Sequence, residues 1–126
     1  MKRIYISILF LIAVLCIASA EIGYVSAKSD GIISMIEQTD RYMLKSNFED
    51  AIEHCKKTEV EWNESVSLID MLLIHDYVDG IGTNIAKMQS YIENGNPDMY
   101  FAESASTKKE LASIKESEYP NFSNIF

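Results

Sequence analysis

The sequence is poor in the residues that interrupt helices. Its 126 residues include five glycines and two prolines, and no stretch alternates apolar and polar residues as a half-buried strand does. Of its two cysteines, Cys16 lies in an apolar segment and Cys55 in the rest of the chain, so no disulfide framework is expected within one chain. The composition therefore predicts an all-α fold that its core alone must hold together.

The patterns that carry most enzymatic chemistry are also missing. No serine lies in a Gly-x-Ser-x-Gly turn, and no glycine-rich phosphate loop is present. His54 and Cys55 are adjacent, so on a helix they point to different faces and do not suit one metal ion. We therefore expect no catalytic residue, no cofactor and no bound metal, and thus a protein that is not an enzyme.

Positive charge is scarce beyond the N-terminus. After residue 20, nine Lys and Arg residues are set against nineteen Asp and Glu residues, a net charge of −10. Such a surface repels the phosphates of nucleic acids and of anionic lipids. We therefore expect no nucleic-acid partner, and no electrostatic docking of the domain on a membrane.

The one long uncharged run extends from Ile4 to Ala20, directly after Lys2 and Arg3. As a helix it is about 25 Å long, slightly short of a hydrocarbon core of about 30 Å, and the uncharged residues 22–27 can extend it. The basic start predicts a cytosolic N-terminus. We therefore expect a signal-anchor over residues 1–27, held in the lipid bilayer through Ile4–Ala20, and an extracytoplasmic domain over residues 28–126 of a single-pass cell-membrane protein.

A second interpretation of this segment stays open. Ala18-Ser19-Ala20 has the small-x-small form that signal peptidase accepts. Cleavage after Ala20 would release a secreted protein, whose alternative function is to bind a small ligand or a cation where His75, Asp76 and Asp79 cluster.

The rest of the chain predicts about four helices that pack as an antiparallel bundle behind the transmembrane helix. The expected caps or first residues are, in chain order, Ser29 or Asp30, Asn47, His75-Asp76 and Asn96-Pro97. The clearest pattern, with spacings of four and three residues in turn, is a predicted core seam at Phe48, Ile52, Cys55, Glu59, Trp62, Val66, Ile69 and Leu73. Trp62 and His75 are the candidate structural anchors.

Large apolar residues cluster after the last helix, at Tyr119, Phe122, Ile125 and Phe126. Leaving one such side chain in water forfeits about 1.5–3 kcal/mol that burial would supply. Two interpretations stay open: the tail is a strap that folds back onto the bundle, or it contacts a partner protein.

Several short motifs together resemble a known family. They are Phe48-Glu49-Asp50-Ala51 at the start of the long helix, Trp62, His75-Asp76 and the terminal Asn124-Ile125-Phe126. In combination they resemble an uncharacterised family, a domain of unknown function, of short membrane-anchored helical proteins from spore-forming Gram-positive bacteria. This sequence has one tryptophan where members can have two.

The resemblance implies no activity and no catalytic residue. It implies a multi-pass membrane protein as the partner. Together with the anchor, it leads us to expect a non-enzymatic binding or accessory component of the bacterial cell envelope.

Overall fold

Four helices account for nearly all of the described chain. The computed structural model describes the backbone of residues 1–69 and 75–118 and the side chains of residues 1–66, 79–114 and 116. The helices are α1 (Lys2–Leu44), α2 (Phe48–Ile69), α3 (His75–Glu93) and α4 (Pro97–Glu118). No strand occurs among these residues, so the predicted all-α fold is confirmed.

The helices form an antiparallel four-helix bundle. Each helix packs against the next one in the chain, and α4 closes the ring by packing against α1. The contacts between α1 and α2 follow a reversed order, Lys28 with Glu61 and Thr39 with His54, so these two helices run in opposite directions. Two three-residue turns, after α1 and after α3, therefore lie at the same end of the bundle.

The first helix is longer than the sequence predicts. We expected a helix to begin at Ser29 or Asp30, but α1 runs without a break through all of Lys2–Leu44, and that expectation is wrong. Ser29 is buried within the helix instead of capping it. Gly23 and Gly31 each lower helix stability by about 1 kcal/mol relative to alanine, yet no proline breaks the chain here. The boundary proposed at residue 27 thus falls inside α1.

Both turns have the same hydrogen-bonded geometry. The amide of Asn47 donates to the carbonyl of Tyr42, and the amide of Asn96 donates to the carbonyl of Tyr91, each at 2.9 Å. The residue before each asparagine adopts a positive φ, 57° at Ser46 and 65° at Gly95. This is the Schellman arrangement, in which the left-handed residue is usually glycine.

The same asparagines then cap the helices that follow. The amide of Asp50 donates to Oδ1 of Asn47 at 3.5 Å, and the amide of Met99 donates to Oδ1 of Asn96 at 3.3 Å. The predicted caps of α2 and α4 are confirmed, and Pro97 takes the first helical position, where its missing N–H costs nothing.

The two hairpins, α1–α2 and α3–α4, have equivalent buried positions. A buried residue of the first hairpin and its buried counterpart in the second are 49 residues apart in the sequence, as Ile32 and Ile81 are. Along α1 and α3 the matching pairs are Ile32 and Ile81, Ile36 and Ile85, Thr39 and Met88, and Met43 and Ile92. Along α2 and α4 they are Ala51 and Tyr100, Cys55 and Ser104, Thr58 and Thr107, Trp62 and Leu111, and Ser65 and Ile114. The bundle is therefore built from two equivalent helical hairpins.

The predicted seam of α2 is only partly correct. Among the described side chains of α2, the buried ones are Ala51, Cys55, Thr58, Trp62 and Ser65, whereas Phe48 is exposed and Ile52, Glu59 and Val66 are half-buried. The side chains of Ile69 and Leu73 lie outside the described residues. The hydroxyls of Thr58 and Ser65 donate to carbonyls four residues earlier, at 2.9 and 2.8 Å. Because these bonds satisfy the hydroxyls, polar residues can occupy core positions that an apolar pattern does not reveal.

Candidate functional site

An open groove of about 450 Å³ lies on the outer face of the first hairpin. Its lining consists of Met35 from α1 and of Glu53, Lys56, Lys57, Val60 and Glu61 from α2. Val60 is 56% exposed although it is apolar, and Met35 is half-buried beside it. A methionine adapts its shape to a partner, so the floor of the groove suits an apolar side chain from outside.

Charged residues border this groove and are loosely paired. Lys57 lies 3.2 Å from Glu53, with both side chains about two-thirds exposed. Lys28 lies 3.2 Å from Glu61 at the other end of the groove. Exposed pairs of this kind contribute about 0–1 kcal/mol, so they can rearrange when a ligand binds.

A smaller recess of about 140 Å³ adjoins the groove and shares Glu53 and Lys57 with it. Nδ1 of His54, which lines the recess, lies 3.0 Å from the Thr39 hydroxyl, and that hydroxyl donates to the Met35 carbonyl at 3.1 Å. In the neutral tautomer that satisfies both bonds, Nδ1 carries the hydrogen and Nε2 is an acceptor.

The electrostatic surroundings keep His54 neutral. Partial burial, followed by the positive charge of Lys57, lowers the pKa of His54 below its ordinary value. A neutral imidazole can accept one hydrogen bond from a ligand in the recess. The neighbouring thiol does not join it, because Cys55 is buried in the core, where burial raises its pKa to about 12 and its Sγ lies 3.7 Å from the Ile85 carbonyl.

The equivalent face of the second hairpin is polar where the first is apolar. Asn84 stands at the position that matches Met35, and it donates to Glu110 at 3.2 Å across α3 and α4. Lys109 stands at the position that matches Val60. The apolar groove thus results from side-chain differences on two matching backbones.

A polar cluster fixes α4 against α1. Oδ1 of Asp40 accepts hydrogen bonds from Tyr100 and Ser104 at 2.7 Å each, and its Oδ2 lies 2.8 Å from Nζ of Lys108. Burial, together with the Asp40 carboxylate, raises the pKa of Tyr100, so its hydroxyl keeps the hydrogen that it donates. The cluster holds the hairpins in register.

Of the candidate site residues predicted from sequence, only Trp62 has a side chain that the structure describes. Trp62 is buried in the core, where its indole lies 3.7 Å from the position that a Cβ would take at Gly82. The side chain of His75 lies outside the described residues, as do all four tail residues: Tyr119, Phe122, Ile125 and Phe126. Within the described part of the chain, no three His, Cys, Asp or Glu side chains form a group suited to a metal ion.

Sequence reasoning missed the groove and the recess. The pattern drew attention to apolar residues at seam positions, and neither Met35 nor Val60 lies on a seam. A usable signal was Val60, an isolated apolar residue on an otherwise polar and charged helix face.

A family model matches most of the chain. Residues 20–125 match the family model of a domain of unknown function, DUF4363. The chain belongs to this family. No curated protein and no solved structure matches the chain. The DUF4363 match begins at Ala20, where the uncharged run ends, so it covers the bundle and excludes the segment that the sequence assigns to the membrane.

The DUF4363 chain contains one helix, among the residues described, that is long and apolar enough to cross a membrane. This helix is α1, and every residue in its first nineteen, Lys2–Ala20, is exposed. No other described part of the chain covers this apolar surface.

Proposed function

We propose that this protein is a non-enzymatic binding component of the bacterial cell envelope, anchored in the membrane with its bundle on the extracytoplasmic side. One observation carries the proposal: α1 is a single helix whose first part is apolar and uncovered and whose second part is a bundle helix. Exposure of so many large apolar side chains to water is unfavourable, and a bilayer removes it.

Charge supports the proposed orientation. Lys2 and Arg3 precede the apolar segment, and basic residues favour the cytosolic side. The strongly acidic remainder suits an exposed domain that does not adhere to anionic lipid.

The partner that we propose is a neighbouring integral membrane protein, and the proposed contact is the groove that contains Met35 and Val60. Because the groove and the proposed membrane anchor share helix α1, the anchor limits the distance of the groove from the bilayer. Met35 lies fifteen residues beyond Ala20, about 22 Å along the helix axis. A membrane protein with an extracytoplasmic segment at that height, bearing an apolar side chain, fits the groove.

Photocrosslinking in native membranes tests this proposal. A benzophenone amino acid at Val60 is compared with the same amino acid at Lys109, the exposed matching position on the second hairpin. We expect the Val60 variant to form a discrete adduct with an integral membrane protein, identified by mass spectrometry, and the Lys109 variant to form none. Equal adducts at both positions, or no adduct at Val60, would contradict the proposed contact.

A further inference from the structure

Helix α1 joins the apolar segment to the bundle without a break. It is one α-helix over Lys2–Leu44, and Val25, a short distance beyond Ala20, is already buried in the core. An α-helix turns by about 100° per residue, so the direction of a side chain in the bundle sets the directions of the side chains in the apolar segment. The apolar segment and the bundle therefore have one defined rotational setting.

Contacts on two sides hold α1 in place within the bundle. Towards α2, Nζ of Lys28 lies 3.2 Å from Glu61. Towards α4, Asp40 accepts hydrogen bonds from Tyr100 and Ser104 at 2.7 Å each. Because both neighbouring helices are bonded to it, α1 cannot turn about its own axis relative to the bundle without breaking these contacts. The direction in which the bundle presents its groove is thus fixed relative to the apolar segment.

The groove lies on the α2 side of α1, in the direction of Met35. The eighteen residues from Ile17 to Met35 make about five full turns, so these two side chains project in the same direction. Ile6 and Phe10 lie within about 20° of that direction. We call Ile6, Phe10 and Ile17 the groove-side face of the apolar segment, and all three side chains are exposed.

The region of the proposed bilayer directly below α2 adjoins this face. The pairs Lys28–Glu61 and Thr39–His54 set the last residue of α2 level with residues 20–24 of α1, so α2 ends where the apolar segment ends. Packed helices lie about 8–10 Å apart, so this region has the width of one further helix in contact with α1. None of the described residues covers the groove-side face.

We infer that a membrane-spanning helix of the partner packs on the groove-side face, below α2, while an extracytoplasmic segment of the same partner fills the groove. The inference rests on the proposed anchoring and on the proposed groove contact. A partner that is seated in the groove and embedded in the same bilayer stands on this side of α1, because the groove and the face point in one direction. Its helix is apolar at this contact, since the groove-side face offers only apolar side chains for van der Waals packing.

Photocrosslinking at matched positions of the full-length protein in native membranes tests the inference. A benzophenone amino acid is placed at Phe10 or Ile17 on the groove-side face, and at Ile8 or Leu15 as controls. Each control lies two residues from its probe, about 3 Å along the axis, but about 160° away around the helix. We expect Phe10 and Ile17 to form adducts with the membrane protein that the Val60 variant captures, and the controls to form none.

The Val60 adduct separates failure of this inference from failure of the groove contact. A Val60 adduct with none at Phe10 and Ile17 would overturn the inference while the groove contact stands. Equal adducts at probes and controls, or probe adducts only with a second copy of this chain, would also overturn it. Absence of the Val60 adduct would instead contradict the groove contact and, with it, the packing of the partner's helix.

Alanine insertions between Ala20 and Glu21 change the rotational setting outside the bundle, since the first buried residue of α1 is Val25. Two alanines turn the groove by about 200° and raise it by about 3 Å, whereas four turn it by about 40° and raise it by about 6 Å. We expect the Val60 adduct to be lost with two alanines and retained with four. Equal adduct yields from the two insertions would overturn the inference, because the direction of the groove would then not matter.

Discussion

The two hairpins of the bundle share a backbone plan and differ in the tasks that their side chains perform. Their buried positions match from Ile32 and Ile81 onward, and both end their first helix in the same turn. The first hairpin continues into the apolar segment and carries the groove, whereas the second fills the matching face with the Asn84–Glu110 bond. The packing of the core thus constrains only the buried residues, and the exposed side chains of the two hairpins can differ.

The largest expected difference concerns the matching core residues Trp62 and Leu111. Trp62→Ala should destabilise the bundle by about 3–5 kcal/mol. Leu111→Ala should destabilise it by an amount in the lower part of the roughly 2–5 kcal/mol range, because the loss of a leucine side chain removes less buried surface than the loss of an indole. Urea unfolding followed by far-ultraviolet circular dichroism measures both. A smaller effect for Trp62→Ala than for Leu111→Ala would contradict its role as the main anchor.

Asp40 and Gln89 occupy matching positions with different surroundings. Asp40→Ala should destabilise the bundle by about 1–3 kcal/mol, since Tyr100, Ser104 and Lys108 all lose their partner. Gln89 bonds to Glu93 on its own helix, so Gln89→Ala should stay within about 0.5 kcal/mol of the wild type. Equal losses in the two unfolding curves would show that Asp40 does not tie the hairpins together.

The matching turns differ in the residue that holds the left-handed conformation. Ser46→Gly should stabilise the bundle by about 0.5–1 kcal/mol, because glycine adopts a positive φ without strain. Gly95→Ser should destabilise it by about 1–2 kcal/mol. Melting temperatures of the two variants and of the wild type test this pair, and a loss of stability in Ser46→Gly would argue against the turn geometry.

The smallest expected difference is a pH effect confined to the first hairpin. The pKa of His54 is lowered in the folded state, so the unfolded chain binds a proton first as the pH falls below the ordinary histidine value near 6.5. Stability contributed by neutral His54 is therefore complete above that pH and declines as the pH falls toward the lowered pKa. His54→Gln should flatten this part of the curve of unfolding free energy against pH. An unchanged slope would contradict the assignment.

Much of this fold could be predicted because its determinants are local. Asn47 and Asn96-Pro97 predict helix starts, because an asparagine side chain can cap a helix and the proline ring suits the first helical position. The charge pattern around Ile4–Ala20 indicates a membrane segment. The prediction failed at Ser29, where a good capping residue is buried in mid-helix. Packing against two neighbouring helices overrides capping preference at that position, and a sequence pattern does not report such packing.

The candidate site was harder to predict because it depends on distant parts of the chain. The groove exists only where the register of α1 against α2 places Met35 beside Val60. Similarly, Thr58 and Ser65 enter the core through bonds to carbonyls on their own helix, which periodicity of apolar residues does not detect.

The central claim is that the bundle stays attached to the membrane through an uninterrupted α1. Mass spectrometry of the mature N-terminus in alkali-washed membranes tests it most directly. The account predicts intact chains that begin at Met1 and remain in the membrane fraction. Chains that begin at Glu21 and appear in the soluble fraction would contradict it and would favour the secreted alternative.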